Sequence, residues 1–193
     1  MTPSNNSKTI QRRRFLGLMA GSAAILATTK PRATQAKASA KTAKDTRALS
    51  FYNTHTRETL DVVYFDNGKY DTRGLRKLNK ILRDHRQNEL IEMDTGLYEQ
   101  LWTLQQKLGS TGVFQIISGY RSPKTNSLLR KKSSGVAKKS YHMQGRAIDV
   151  RLTDVPLRKL RSAALKMGAG GVGYYPASDF IHLDTGPVRS WGS

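Results

Sequence analysis

The block Ser140-Tyr141-His142-Met143-Gln144-Gly145-Arg146-Ala147-Ile148-Asp149 is answered late in the chain by Asp179-Phe180-Ile181-His182-Leu183-Asp184. Any fold that uses both must bring two distant stretches to one place. Together they offer two imidazoles and several carboxylates, with Gly145 permitting a tight turn between His142 and Asp149. Two neutral imidazoles and one carboxylate suit a zinc ion that keeps its fourth position open for water. Such an ion lowers the pKa of its water to about 7, so the chemistry read from these residues is hydrolysis. A histidine seven residues before an aspartate is common by chance and far less diagnostic than a helical H-E-x-x-H. Context gives it weight: Ser-x-His-x-x-Gly-x-Ala-x-Asp, an upstream Gly-Tyr-Arg-Ser and a late His-x-Asp occur in that order.

Cysteine is absent, which excludes a thiol nucleophile, a cysteine zinc site and an iron–sulfur cluster. The N-terminus reads as an export signal over residues 1–38. Gln11-Arg12-Arg13-Arg14-Phe15-Leu16-Gly17 resembles the twin-arginine signature, and the apolar run from Phe15 to Thr29 is too short to span a bilayer. Ala36-Lys37-Ala38 and Ala38-Ser39-Ala40 both fit small-x-small cleavage. The expected location is the periplasm, with no stable membrane insertion after cleavage. Residues 39–47 read as a linker and 48–193 as one domain.

The formal charge is +19; residues 1–38 hold seven basic and no acidic side chains, leaving +12 on the remainder. That balance favours a polyanionic partner. The leader and the lack of a reading motif argue against nucleic acid and for the cell wall, whose stem peptides carry carboxylates.

Alternation predicts strands at 48–52 and 59–65, around a turn holding His55 as a solvated loop residue. A helix capped by Asp71 or Thr72 is expected to reach about Arg86, with His85 near its basic end. A second, opened by Asp94-Thr95-Gly96, runs to about Leu108 with Leu97, Leu101 and Leu104 in the core. Residues 113–118 read as a buried strand running into Gly119, which leaves Tyr120 and Arg121 at the sheet's rim. Pro123 starts a short helix, and a basic loop follows; Arg121 to Lys139 contains seven basic residues and no acid. A strand at 147–152, a helix at 156–167 with Leu157, Leu160, Ala164 and Leu165 inward, and paired strands at 172–175 and 180–184 complete the chain. The blocks lack a βαβ rhythm, so an α+β fold with a mainly antiparallel sheet is expected.

Ser118-Gly119-Tyr120-Arg121-Ser122, the run Val136 to His142, and Gly170-Gly171-Val172-Gly173-Tyr174-Tyr175-Pro176 together resemble bacterial peptidoglycan peptidases. These include zinc D-alanyl-D-alanine carboxypeptidases and murein endopeptidases, and the chain is most similar to the murein endopeptidase K type, from about Leu49 to Trp191. The resemblance implies zinc held by His142, Asp149 and His182, and the antiparallel sheet with packed helices shared with the hedgehog signalling domain. It implies cleavage of cross-links between two diaminopimelate residues in peptidoglycan. The alternatives are a D-Ala–diaminopimelate endopeptidase, a D,D- or L,D-carboxypeptidase, and a non-enzymatic wall-binding module.

Arg121 is suited to polarise the scissile carbonyl or grip a substrate carboxylate, with Tyr120 and Ser140 expected beside the substrate. Relatives place a glutamate three residues before the last histidine ligand, a position held here by the shorter Asp179. Others use a histidine two residues before it, where this chain has Phe180. Asp179 is therefore the expected general base. Asp184 is the alternative, as base or as a partner orienting His182.

Overall fold

A computed structural model describes residues 45–133 and 135–192; the expected export signal and most of the linker lie outside them. The strands are β1 (Thr46–Asn53), β2 (Thr59–Asp66), β3 (Lys69–Tyr70), β4 (Phe114–Ser118), β5 (Ala147–Leu152), β6 (Gly171–Tyr175), β7 (Phe180–Asp184) and β8 (Arg189–Trp191). They form one sheet in the order β3-β2-β1-β4-β5-β7-β6-β8. All neighbours are antiparallel except β1 with β4 and β6 with β8. The helices are α1 (Thr72–Ile81), α2 (Thr95–Leu108), α3 (Pro123–Lys132) and α4 (Leu157–Met167).

Strand alternation divides the sheet into two faces. Phe114 and Ile116, Ile148, Val150 and Leu152, Val172 and Tyr174, and Ile181 and Leu183 are buried. They share one core with Leu78 and Ile81 of α1, Leu97, Leu101 and Leu104 of α2, and Leu160 of α4. Each such leucine or phenylalanine contributes about 1.5–3 kcal/mol by leaving water. The intervening positions, among them Asp149, Arg151, Phe180 and His182, fall on the other face.

Side-chain caps mark α1, α2 and α3, those at Asp71 and Asp94 where the sequence predicts them. Asp71 accepts from the Arg73 and Gly74 amides, Asp94 from Gly96, and Ser122 from Thr125, with Pro123 in the first turn of α3.

Four expectations need correction. The last two residues assigned to the linker, Thr46 and Arg47, belong to β1. Helix α1 stops at Ile81, not Arg86. The bond that would continue it, from the Arg86 amide to the Leu82 carbonyl, is replaced at both ends. Arg86 donates instead to the Asp84 carboxylate at 2.9 Å, and the Leu82 carbonyl takes the Tyr120 amide at 2.7 Å. His85 consequently lies outside the helix, stacked on His55 with ring centroids 4.4 Å apart. Burial, then Arg86 and His55, lower its pKa, which favours the neutral form and not the cation expected at a helix end. Lastly, Leu165 is exposed, because Leu160 and Ala164 already face the core from α4. His55 is exposed, with Nε2 3.0 Å from the Ile117 carbonyl.

Candidate active site

Hydrogen-bond register draws one row of residues across the open face. Ser118 of β4 faces Asp149 of β5, Asp149 faces His182 of β7, His182 faces Gly173 of β6, and Gly173 faces Trp191 of β8. The third candidate ligand, His142, comes from a 3₁₀ turn, Tyr141–Gln144. Ser140 caps this turn by accepting the His142 amide at 3.3 Å, and Gly145 closes it in the left-handed region at φ 68°. His142, Asp149 and His182 are all buried, and their ligating atoms converge.

The geometry selects one nitrogen of each ring. His142 Nε2 lies 3.2 Å from His182 Nδ1 and 3.2 Å from Asp149 Oδ1, and His182 Nδ1 lies 2.8 Å from Asp149 Oδ1. Ligands about 2.0–2.2 Å from a tetrahedral zinc are separated by roughly 3.3–3.6 Å, so this triangle needs only a slight expansion to hold such an ion. The opposite nitrogens are engaged behind the cluster. His142 Nδ1 lies 2.7 Å from the Gly119 carbonyl, and His182 Nε2 lies 3.0 Å from Asp184 Oδ2. Donation to these acceptors fixes each tautomer with its lone pair toward the other ligands.

Electrostatics match a cation site. Burial opposes ionisation of Asp149, but His142 and His182 outweigh it and hold the carboxyl well below its usual range. For His182, burial acts downward, while hydrogen bonds to Asp149 and Asp184 raise its pKa to about 9. The cluster is thus built to surround positive charge.

Asp184 is fully enclosed. It accepts the Gly171 amide at 3.0 Å, the Gly186 amide at 2.8 Å and a two-pronged guanidinium from Arg189 at 3.1 and 2.6 Å. Its carboxyl stays low because His182, Arg189 and these amides overcome the opposing effect of burial. Asp184 thus meets His182 on the side away from the ligand cluster and does not line the cleft, the placement that the orienting role would require.

Arg121 borders the cluster, its Nη2 3.8 Å from Asp149 Oδ2 and 3.4 Å from Ser118 Oγ. The backbone around it is tied down by three bonds: Tyr120 to the Leu82 carbonyl, Arg121 to the His142 carbonyl at 3.2 Å, and Ser122 to Asp84 Oδ2 at 2.9 Å. Gly119 is required here, since a Cβ would sit 2.4 Å from the Leu82 carbonyl oxygen. Arg121 Nε is buried without a hydrogen-bond partner among the described residues. Burial lowers the pKa of this arginine and Asp149 opposes that.

These residues line a cleft of about 420 Å³ together with Lys139, Ser140, Tyr175, Phe180, Arg189 and Trp191. Asp149 is its only carboxylate among the described residues. Tyr120 and Asp179, expected at the site, are not part of it. Tyr120 packs against the core, its backbone anchored at the Leu82 carbonyl, and does not line the cleft. Asp179 sits in a left-handed turn at φ 52° and pairs with Arg151 Nη1 at 2.8 Å, outside the cleft. Ser140 lines the cleft, with its hydroxyl engaged in the cap.

The sequence reading missed the C-terminal wall. Gly173 has no side chain, and a Cβ there would meet the Trp191 indole at 2.7 Å, so that ring lies over β6. Its centre is 5.1 Å from that of His182, and its Nε1 donates to the Tyr175 hydroxyl at 2.8 Å. The Arg-x-Trp alternation of β8 is the available signal, but three residues are too few to read as a strand.

Two imidazoles and a carboxylate at the base of a cleft, beside an arginine, are the arrangement of a mononuclear metallopeptidase. The sequence model of a family described as peptidoglycan L,D-endopeptidase MepK matches residues 41–191, and the chain belongs to that peptidase family. The Escherichia coli K12 protein named peptidoglycan L,D-endopeptidase MepK is 50% identical over 145 residues, covering 75% of this chain and 80% of that protein; the Shigella flexneri protein of the same name matches equally. The Haemophilus influenzae protein named "Probable peptidoglycan L,D-endopeptidase MepK" is 44% identical over 146 residues, covering 75% and 78%. No solved structure matches. Among the described residues no helix is long and apolar enough to cross a membrane.

Proposed function

We propose that this protein is a zinc-dependent murein endopeptidase that hydrolyses peptide cross-links of peptidoglycan between two diaminopimelate residues. The observation that carries the reading is the triangle of His142 Nε2, Asp149 Oδ1 and His182 Nδ1 with both opposite ring nitrogens engaged. These three atoms would hold the zinc. When bound, the ion supplies Lewis acidity and lowers the pKa of a water into the neutral range. Arg121, desolvated at the cleft edge, takes the negative charge that develops on the carbonyl oxygen or holds a substrate carboxylate; preorganised donors of this kind are effective where water is excluded. The Gly119 carbonyl and Asp184 keep the two imidazoles in the ligating tautomer throughout.

The names of the relatives support the linkage, since an L,D bond joins the L-centre carboxyl of one residue to the D-centre amine of the next. Lys139 and the neighbouring basic loop bordering the cleft suit anionic stem peptides. A one-sided sheet with helices on its other face is consistent with the fold shared by D-alanyl-D-alanine peptidases and the hedgehog domain. We also infer export to the periplasm by the twin-arginine route, from the leader Gln11 to Gly17; a reporter fused to residues 1–40 that stays cytoplasmic would overturn this.

The activity test uses purified sacculi. Wild-type protein should release cross-linked muropeptide halves, chelation should stop it and zinc restore it, and Asp149→Ala or His182→Ala should be inactive while folded. Full activity of chelated protein would refute the proposal.

A further inference from the structure

The open face continues past the cluster. Two residues beyond Asp149 on β5 stands Arg151, opposite Gln115 of β4; two residues before His182 on β7 stands Phe180, opposite Tyr175 of β6. Phe180 and Tyr175 line the catalytic cleft, whereas Gln115, Arg151 and Asp179 line a second hollow of about 440 Å³. The Tyr175 and Phe180 rings are stacked, with centroids 4.6 Å apart.

Arg151 is held in place without being saturated. Its Nε donates to Gln115 Oε1 at 2.6 Å and its Nη1 to Asp179 Oδ2 at 2.8 Å. Nη2 and Asp179 Oδ1 have no hydrogen-bond partner among the described residues, and the two side chains are 35% and 60% exposed. One guanidinium nitrogen and one carboxylate oxygen of the same ion pair are therefore available, a match for a ligand carrying an ammonium and a carboxylate on one carbon.

We propose that Arg151 and Asp179 form a subsite for the free amino-acid end of the diaminopimelate on the acyl side of the scissile bond. This rests on the cross-link reading above. In that link the acyl-side residue has a distal centre with a free ammonium and a free carboxylate, five carbon–carbon bonds from the scissile carbonyl. An extended chain of five such bonds spans roughly 6 Å. The step from Asp149 to Arg151 along β5 is two residues, roughly 7 Å, so a substrate that runs along β5 with its carbonyl at the cluster brings the distal centre beside Arg151. A D-alanine on the acyl side offers only a methyl group there. The pair selects between the two linkages through Arg151 on the carboxylate and Asp179 on the ammonium.

The test measures kcat/KM of the zinc-loaded full chain for two diaminopimelate-linked muropeptide dimers, one with the distal acyl-side carboxylate free and one with it amidated. Wild type should prefer the free carboxylate by roughly 10- to 100-fold, as expected for loss of a charged hydrogen bond. Arg151→Gln should bring the ratio close to 1. Asp179→Asn should likewise abolish discrimination against a dimer acetylated on the distal amine. A ratio of two substrates is insensitive to the fraction of variant that folds. Equal rates for both dimers in wild type, or an unchanged ratio in Arg151→Gln, would overturn the subsite and leave an exposed ion pair only. If wild type cuts neither dimer but digests D-Ala-linked ones, the linkage reading falls and the subsite falls with it.

Discussion

Replacing Asp184 by asparagine changes one atom and removes one charge, yet the structure makes it a severe substitution. All partners of the carboxylate are donors: the Gly171 and Gly186 amides on Oδ1, the Arg189 guanidinium on both oxygens and His182 on Oδ2. An asparagine amide group must therefore oppose donors in either orientation. With the amide nitrogen at Oδ2, His182 avoids the clash only by moving its proton to Nδ1, the atom that faces Asp149 and His142. That tautomer cannot ligate a metal through Nδ1. Breaking a buried ion pair costs about 3–5 kcal/mol, but Arg189 is 40% exposed and rehydrates, so a loss of about 2–3 kcal/mol is expected. Loss of such a ligand-orienting partner lowers metal affinity by about 10- to 100-fold. Urea unfolding of the chelated protein measures the first quantity, and calorimetric titration of chelated protein with zinc measures the second. Wild-type zinc affinity in a folded Asp184→Asn protein would refute the tautomer argument.

Gly173→Ala places a methyl group into the Trp191 indole; overpacking should cost about 1–3 kcal/mol, with an altered tryptophan emission and reduced turnover, and an unchanged spectrum would count against the close approach. Asp84 is buried, and although burial alone would raise its pKa, the groups of Thr125, Ser122 and Arg86 hold it below the usual value. Its contribution is therefore full above the unfolded pKa of about 3.9 and is lost as pH falls toward the lower folded value. Asp84→Asn should lower stability at neutral pH by about 1–3 kcal/mol and flatten the acid limb, which urea unfolding at pH 3 to 7 will show. Arg121→Lys keeps the charge but loses the planar fork; zinc affinity should stay near wild type while kcat falls at least about tenfold, and equal loss of both would place Arg121 in metal retention instead.

Much of the architecture is present in local patterns. Asp94 before Thr95, Ser122 before Pro123 and the alternation through 147–152 and 180–184 announce helices and strands because capping and pleating depend on neighbours a few residues away. The helix after Asp71 ends earlier than its local pattern predicts, for the complementary reason. Its apolar stripe, Leu75, Leu78 and Leu82, carries no stop signal before residue 86, but the Leu82 carbonyl is claimed by Tyr120, a partner thirty-eight residues distant.

The candidate ligands are only partly legible: residue type and motif order offer His142 and His182 with several carboxylates, and the choice of Asp149 among them comes from the resemblance to the peptidoglycan peptidases. Motif order does not state where a carboxylate points. Asp179 and Asp184 are both acidic and both within three residues of His182; the left-handed turn at residue 179 sends one to Arg151, and strand alternation sends the other behind the imidazole. Which ring nitrogen is free, which side chains wall the cleft and how β8 returns to cover β6 are decided by contacts between segments remote in the chain. The identity of the donor groups is a property of the side chains themselves, and so is written in the sequence. Their directions depend on which strands lie side by side, and that is settled only when the sheet closes its register.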